Sequence, residues 1–272
     1  MYDSIASIVL SVLPIIAVLV FVYRMDVDRE PRANLIRTFL FGFAGMIPAL
    51  FVAFPIRLLD LGSPTPFLDV LLASFVLVAI PGEFIKMLVL RYYCYRLRAF
   101  DELMDGIVYG AVAAMGFAVM EPVMFSTPRL WFMSPLRAVT SVPLHAATGA
   151  IIGYSMAHWM FVRHSTSRVW KGWGIAAVSH GLYNIFCLYP GIYEYNGGSS
   201  RLIIEGFPIL AIAVVVALGV WVLRTTRRLR NKQLIEHACG EPTRERAEPT
   251  YFQMLRARRL EARDADNRAR KN

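Results

Sequence analysis

Six residues inside long apolar stretches carry side chains that hydrocarbon tolerates poorly: Glu83, Lys86, Glu121, His145, His180 and Asn184. Ionisable groups at membrane depth are costly and concentrate at functional sites. Glu83 and Lys86 are three residues apart, so on a helix they share a face and can pair. Such a buried pair can also be purely structural. His180 and Asn184 are four apart and project from one face. Glu121 has Phe117 one turn before it and no local basic partner, so its partner must come from another helix. His145 stands alone in Ser-Val-Pro-Leu-His-Ala-Ala-Thr-Gly, where a hydrogen-bonded packing histidine is the ordinary case. Asp105 lies at the start of the stretch that carries Glu121.

Carboxylates, imidazoles and an amide in dry surroundings suit hydrolysis. A carboxylate whose pKa is raised by burial can take a proton from water. Imidazole and amide donors can stabilise the oxyanion that follows. This chemistry needs no cofactor. The same set could hold a divalent metal such as zinc through His145, His180 and Glu121, or relay protons in a transporter. Other membrane-protease chemistries lack their residues. There is no HExxH for a zinc site of that type and no GxSG for a serine nucleophile, and the sparse Asp disfavours an aspartyl dyad.

The elements that carry these groups are apolar nearly all round, where an amphipathic soluble helix would alternate faces. Seven candidate spans appear, at about 4–23, 35–56, 67–90, 107–125, 139–162, 173–189 and 202–223. Each approaches the length that crosses a bilayer. Of 272 residues 56% are hydrophobic and 18% charged, with mean hydropathy +0.47; soluble chains carry about a quarter charged residues. The expected fold is therefore all-α, a polytopic membrane bundle over residues 1–223 followed by a basic cytoplasmic tail, 224–272.

The net charge of +9 does not point to nucleic acid. Of 29 Lys and Arg, 24 lie in alternate gaps and the tail, and four lie in the opposite gaps. That asymmetry places the N-terminus outside and the tail in the cytoplasm. The tail is expected to extend the last helix and to meet anionic lipid. Cys94, Cys187 and Cys239 are too scattered for a disulfide framework or zinc cluster. The N-terminus lacks a basic region and a small-residue cleavage site, so the first span reads as a retained helix. Small residues at Gly106-x3-Gly110-x3-Ala114 and Gly149-x3-Gly153 predict close helix packing. No internal repeat supports the transporter reading.

Depth sets a condition on convergence. Glu83 precedes Arg91 by eight residues, roughly 12 Å from the cytoplasmic end at 1.5 Å per residue. That is lower than the other polar groups unless the third span is tilted, or broken at Pro81-Gly82.

The order Glu83-x2-Lys86, Asp105-Gly106-Ile107-Val108-Tyr109-Gly110, Gly116-Phe117-x3-Glu121, His145 with Gly149 and Gly153-Tyr154, and His180-Gly181-Leu182-Tyr183-Asn184 resembles the PrsW family of intramembrane proteases. So does Asp28-Arg29-Glu30-Pro31. The match covers about residues 23–186. The resemblance implies a multi-pass protein of the bacterial cytoplasmic membrane that cleaves single-span membrane proteins such as anti-sigma factors. It also implies kinship with the CAAX-endopeptidase and bacteriocin-immunity superfamily, where Glu, His and His-x3-Asn act on water. By position it implies catalytic roles for Glu83, Glu121, His145, His180 and Asn184, with Lys86 and Asp105 in support. The sequence departs at Gly82, which stands where the family has the first Glu of Glu-Glu-x2-Lys, the general base of the related mechanism. Ser141 replaces an aromatic, and Pro122 replaces the Asn after Glu121. Glu121, or else Glu83, then serves as base. The alternative is a catalytically impaired scaffold or chaperone that binds membrane helices.

Overall fold

The computed structural model describes residues 2–51, 65–119, 134–162 and 165–239. These residues are helical, with no strand among them. The helices are α1 (Tyr2–Met25), α2 (Arg32–Ala44), α3 (Pro66–Leu72), α4 (Ile80–Tyr92), α5 (Leu103–Ala118), α6 (Ser134–Phe161), α7 (Thr166–Tyr195) and α8 (Phe207–Cys239). Four helical stretches are long and apolar enough to cross a membrane: Arg32–Phe51, Pro66–Arg96, Thr166–Tyr195 and Leu202–Cys239. The last runs past Arg224 without interruption, as the sequence predicts for the first part of the tail.

α5 is the hub. Every residue from Met104 to Ala118 is buried, and the helix packs against α2 on one side and α6 on the other. Glycine makes both approaches close. A Cβ on Gly106 would run into the Gly153 carbonyl, and one on Gly149 into the Gly110 carbonyl. On the opposite side, Cβ atoms at Gly42 and Gly116 would strike the backbone carbonyls of Ala113 and Phe39. Lipid gives no hydrophobic reward for pairing helices, so small residues that bring backbones into contact supply the packing.

The third span is not broken at Pro81-Gly82. It continues from α3 through a π-helical stretch, Ala73–Ala79, into α4, with Pro81 in the first turn of α4. Pro81 has no N–H for a bond one turn back, and the wider π turn absorbs that missing bond without ending the helix. A second π stretch, Leu202–Gly206, leads into α8.

Polar groups at one end of the bundle are tied across long sequence distances. Asp105 accepts from the backbone N–H groups of Asp101 and Glu102 at 2.6 and 2.8 Å, closing a capping box at the start of α5. Gln233 of α8 donates to Asp26 at 2.9 Å and to Glu102. Tyr109 donates to Glu30. Burial pushes the Glu30 carboxyl up to about 7 and that of Glu102 up to about 8.

Candidate active site

Three helices bring polar residues to one dry point. α4 supplies Glu83 and Lys86, α6 supplies His145 and Thr148, and α7 supplies His180, with Asn184 buried one turn on; none is more than 2% exposed. Helical spacing explains each contribution. Glu83/Lys86 and His145/Thr148 are i,i+3 pairs, and His180/Asn184 is an i,i+4 pair, so each helix presents both members on one face.

Glu83 Oε1 is the shared acceptor. It takes hydrogen bonds from Lys86 Nζ at 2.7 Å, His180 Nδ1 at 2.7 Å and Thr148 Oγ1 at 3.2 Å. Lys86 Nζ also lies 2.8 Å from His145 Nδ1. The two imidazoles meet edge to face, 4.9 Å between centroids at 87°. Phe117 of α5 covers the cluster, with Lys86 Nζ 5.3 Å from its ring centroid and His145 6.0 Å away.

Donor logic fixes the imidazole tautomers. An ammonium can only donate, so His145 Nδ1 accepts and its Nε2 carries the proton. A carboxylate can only accept, so His180 Nδ1 donates, and in the neutral ring Nε2 keeps a lone pair. One imidazole therefore offers an acceptor and the other a donor. With both rings neutral, the Glu83 carboxylate and the Lys86 ammonium leave the cluster with no net charge, the arrangement that makes buried ions affordable.

Glu83, His145 and His180 also form a group whose donor atoms lie within 4.8 Å of one another. Two imidazoles and a carboxylate are a donor set of catalytic zinc sites. Glu83 Oε2 is buried without a hydrogen-bond partner among the described residues, so one carboxylate oxygen remains for a cation. The residues thus fit a divalent metal. The Lys86 ammonium already sits on Glu83 Oε1 and His145 Nδ1, so its positive charge opposes a second cation in the same place.

Of the residues singled out by sequence, Glu83, Lys86, His145 and His180 come together; Asn184 is buried one turn after His180 on α7. Asp105 sits apart in its capping box at the end of the bundle. Glu121 lies outside the described residues. Gly82 is buried, and a Cβ there would meet Phe117 Cζ at 3.2 Å. Sequence reasoning missed Thr148 as a partner of Glu83 and Phe117 as the lid on Lys86. The i,i+3 spacing from His145 was the available signal for Thr148.

With this geometry in hand, the comparisons are specific. Residues 30–223 match a family model described as "PrsW family intramembrane metalloprotease". The chain is 28% identical over 194 residues to a "Protease PrsW" of Geobacillus kaustophilus, covering 70% of this chain and 84% of the relative. It is 29% identical over 182 residues to a "Protease PrsW" of Bacillus subtilis, covering 66% and 81%. A "Protease PrsW" of Oceanobacillus iheyensis is 28% identical over 172 residues, covering 63% and 78%. No solved structure matches the chain.

Proposed function

The chain belongs to the PrsW family of intramembrane proteases, and from that premise we propose that it hydrolyses single-span membrane proteins, anti-sigma factors among them, in a bacterial cytoplasmic membrane. The proposed topology has seven spans, an external N-terminus and a cytoplasmic tail. The charge asymmetry of the gaps supports it.

The observation that carries the mechanism is the pair of unlike imidazoles around Glu83. His180 Nε2 takes the proton of a water molecule as its oxygen attacks the scissile carbonyl. Glu83, already bonded to Nδ1–H, stabilises the imidazolium that forms, as the carboxylate of a triad does. His145 Nε2–H and the Asn184 amide donate to the oxyanion. His180 then returns the proton to the leaving amide nitrogen, so the ring ends as it began. Lys86 pairs with Glu83 and holds the His145 ring through Nδ1; Thr148 adds a third bond to Glu83. In this scheme the missing acid at Gly82 is not needed, because an imidazole acts as base. A divalent metal on Glu83, His145 and His180 would supply a Lewis acid and lower the pKa of bound water.

The test is cleavage of a tagged single-span substrate in proteoliposomes. His180→Ala should lose on the order of 10²–10⁴ in rate, the contribution of a positioned general base, when assayed well below the variant's own unfolding temperature, which the lost bond to Glu83 lowers. Full activity in that variant would overturn the mechanism. A wild type that binds the substrate helix but never cleaves it would favour the scaffold reading.

A further inference from the structure

The segment from Arg24, at the end of α1, to Arg32, at the start of α2, sorts its charges. Asp26 is 3% exposed and bonded to Gln233, and Glu30 is 4% exposed and bonded to Tyr109, while the part-exposed Asp28 pairs with His237 of α8. The arginines turn outward. Arg24, Arg29 and Arg32 are exposed, and none forms an ion pair with a described carboxylate. All three line one end of a groove of about 790 Å³ between α1, α2 and α5. The remaining walls include Leu19, Leu35, Ile36, Phe39, Val108 and Val112.

The groove therefore has a cationic mouth and an apolar body. Tyr23 stands at the mouth, with the Arg29 and Arg32 guanidinium carbons 5.4 and 5.9 Å from its ring centroid. Stacking on the ring holds both forks in place. Guanidinium forks match phosphate oxygens in bidentate geometry. The volume falls in the range of about 300–1,000 Å³ that holds small ligands. A ligand that fits must be anionic at one end and hydrocarbon for the rest.

We propose that this groove is a binding site for one anionic phospholipid, its phosphate held by Arg24, Arg29 and Arg32 and an acyl chain laid along α2 against Val108 and Val112 of α5. Basic pockets between membrane helices recognise acidic headgroups in this way. The lining residues lie on α1, α2, the segment between them and α5, whereas the Glu83 cluster is built on α4, α6 and α7. Occupancy of the groove does not depend on the catalytic scheme.

Full-length protein carrying phosphatidylglycerol and phosphatidylcholine in equal amounts can be examined by native mass spectrometry after detergent is stripped in the gas phase. Wild type should retain one phosphatidylglycerol in preference to phosphatidylcholine. Each of Arg24→Gln, Arg29→Gln and Arg32→Gln should weaken that preference roughly fivefold, the equivalent of about 1 kcal/mol per basic residue. Ile36→Trp, which fills the body and leaves the charges in place, should also release the lipid. Arg227→Gln/Arg228→Gln on α8 should retain it. Equal retention of the two lipids by wild type would overturn the proposal. So would loss of the preference in the α8 variant with retention in the groove variants.

Discussion

Replacing Lys86 with Met removes one half of an ion pair that is 2.7 Å long, with its partners 1% and 0% exposed. The methionine fills most of the stem volume but cannot donate. Glu83 keeps His180 and Thr148 but loses its compensating charge, and His145 Nδ1 loses its donor. Stranding a buried charge in this way costs about 3–5 kcal/mol, which for a domain of this size lowers the unfolding temperature by roughly 10 °C. Adding Glu83→Gln to the variant removes the stranded carboxylate while the Gln carbonyl still accepts from His180. The double variant should therefore recover most of the loss, and the cycle should give a coupling of more than about 2 kcal/mol. Thermal unfolding in detergent measures all four corners. Zinc supplies a second readout: with the ammonium gone, Lys86→Met should take up zinc on Glu83, His145 and His180 and regain stability as the ion is titrated. A single variant as stable as wild type, or a double variant whose losses simply add, would refute the claim that Lys86 is the resident cation of this site.

Three further outcomes follow from the packing and the polar end of the bundle. Gly82→Glu adds a second acid beside Glu83, but its Cβ meets Phe117 Cζ at 3.2 Å; it should lose about 1–3 kcal/mol to crowding and gain no cleavage until Phe117→Leu makes room, and a Gly82→Glu protein that is faster and equally stable would contradict this. Glu30 and Glu102, whose folded-state pKa values are raised to about 7 and about 8, bind more protons folded than unfolded, so their stabilisation is complete below about pH 4.5 and is lost as pH rises to roughly 8; unfolding temperatures should fall over that window, and Glu30→Gln should flatten the fall, whereas an unchanged slope would exclude Glu30 as its source. Gly153→Val puts a branched side chain against the Gly106 carbonyl and should cost several kcal/mol or block assembly, which expression and unfolding of the purified protein would measure.

Much of this was legible in the residues themselves. Long apolar runs declare membrane helices, and helical spacing alone placed Glu83 with Lys86 and His180 with Asn184. The glycine pairs declared their seam. What spacing could not supply was contact between helices. Nothing local says that Lys86 bridges Glu83 to His145, 59 residues away, or that Gln233 reaches Asp26 across 207 residues. The Pro81-Gly82 pair signalled irregular backbone, and irregular backbone is there. It took the form of a widened turn before the proline, because the chain could continue once that turn absorbed the missing N–H. Glu121, the acid the sequence favoured as base, is outside the described residues, while an imidazole with the acceptor nitrogen is in place. Reading a tautomer requires knowing both hydrogen-bond partners, and no linear pattern carries that.

The glycine seam between α5 and α6 works as a caliper for the chemistry, although it carries none. His145 stands one turn before Gly149, whose carbonyl abuts Gly110. Helices locked carbonyl to glycine cannot glide past one another. A slip of a single residue is about 1.5 Å along the axis, enough to turn the 2.8 Å contact between Lys86 and His145 into an empty gap. Four hydrogen atoms in place of side chains, at Gly106, Gly110, Gly149 and Gly153, therefore set the tolerance to which the imidazole is machined.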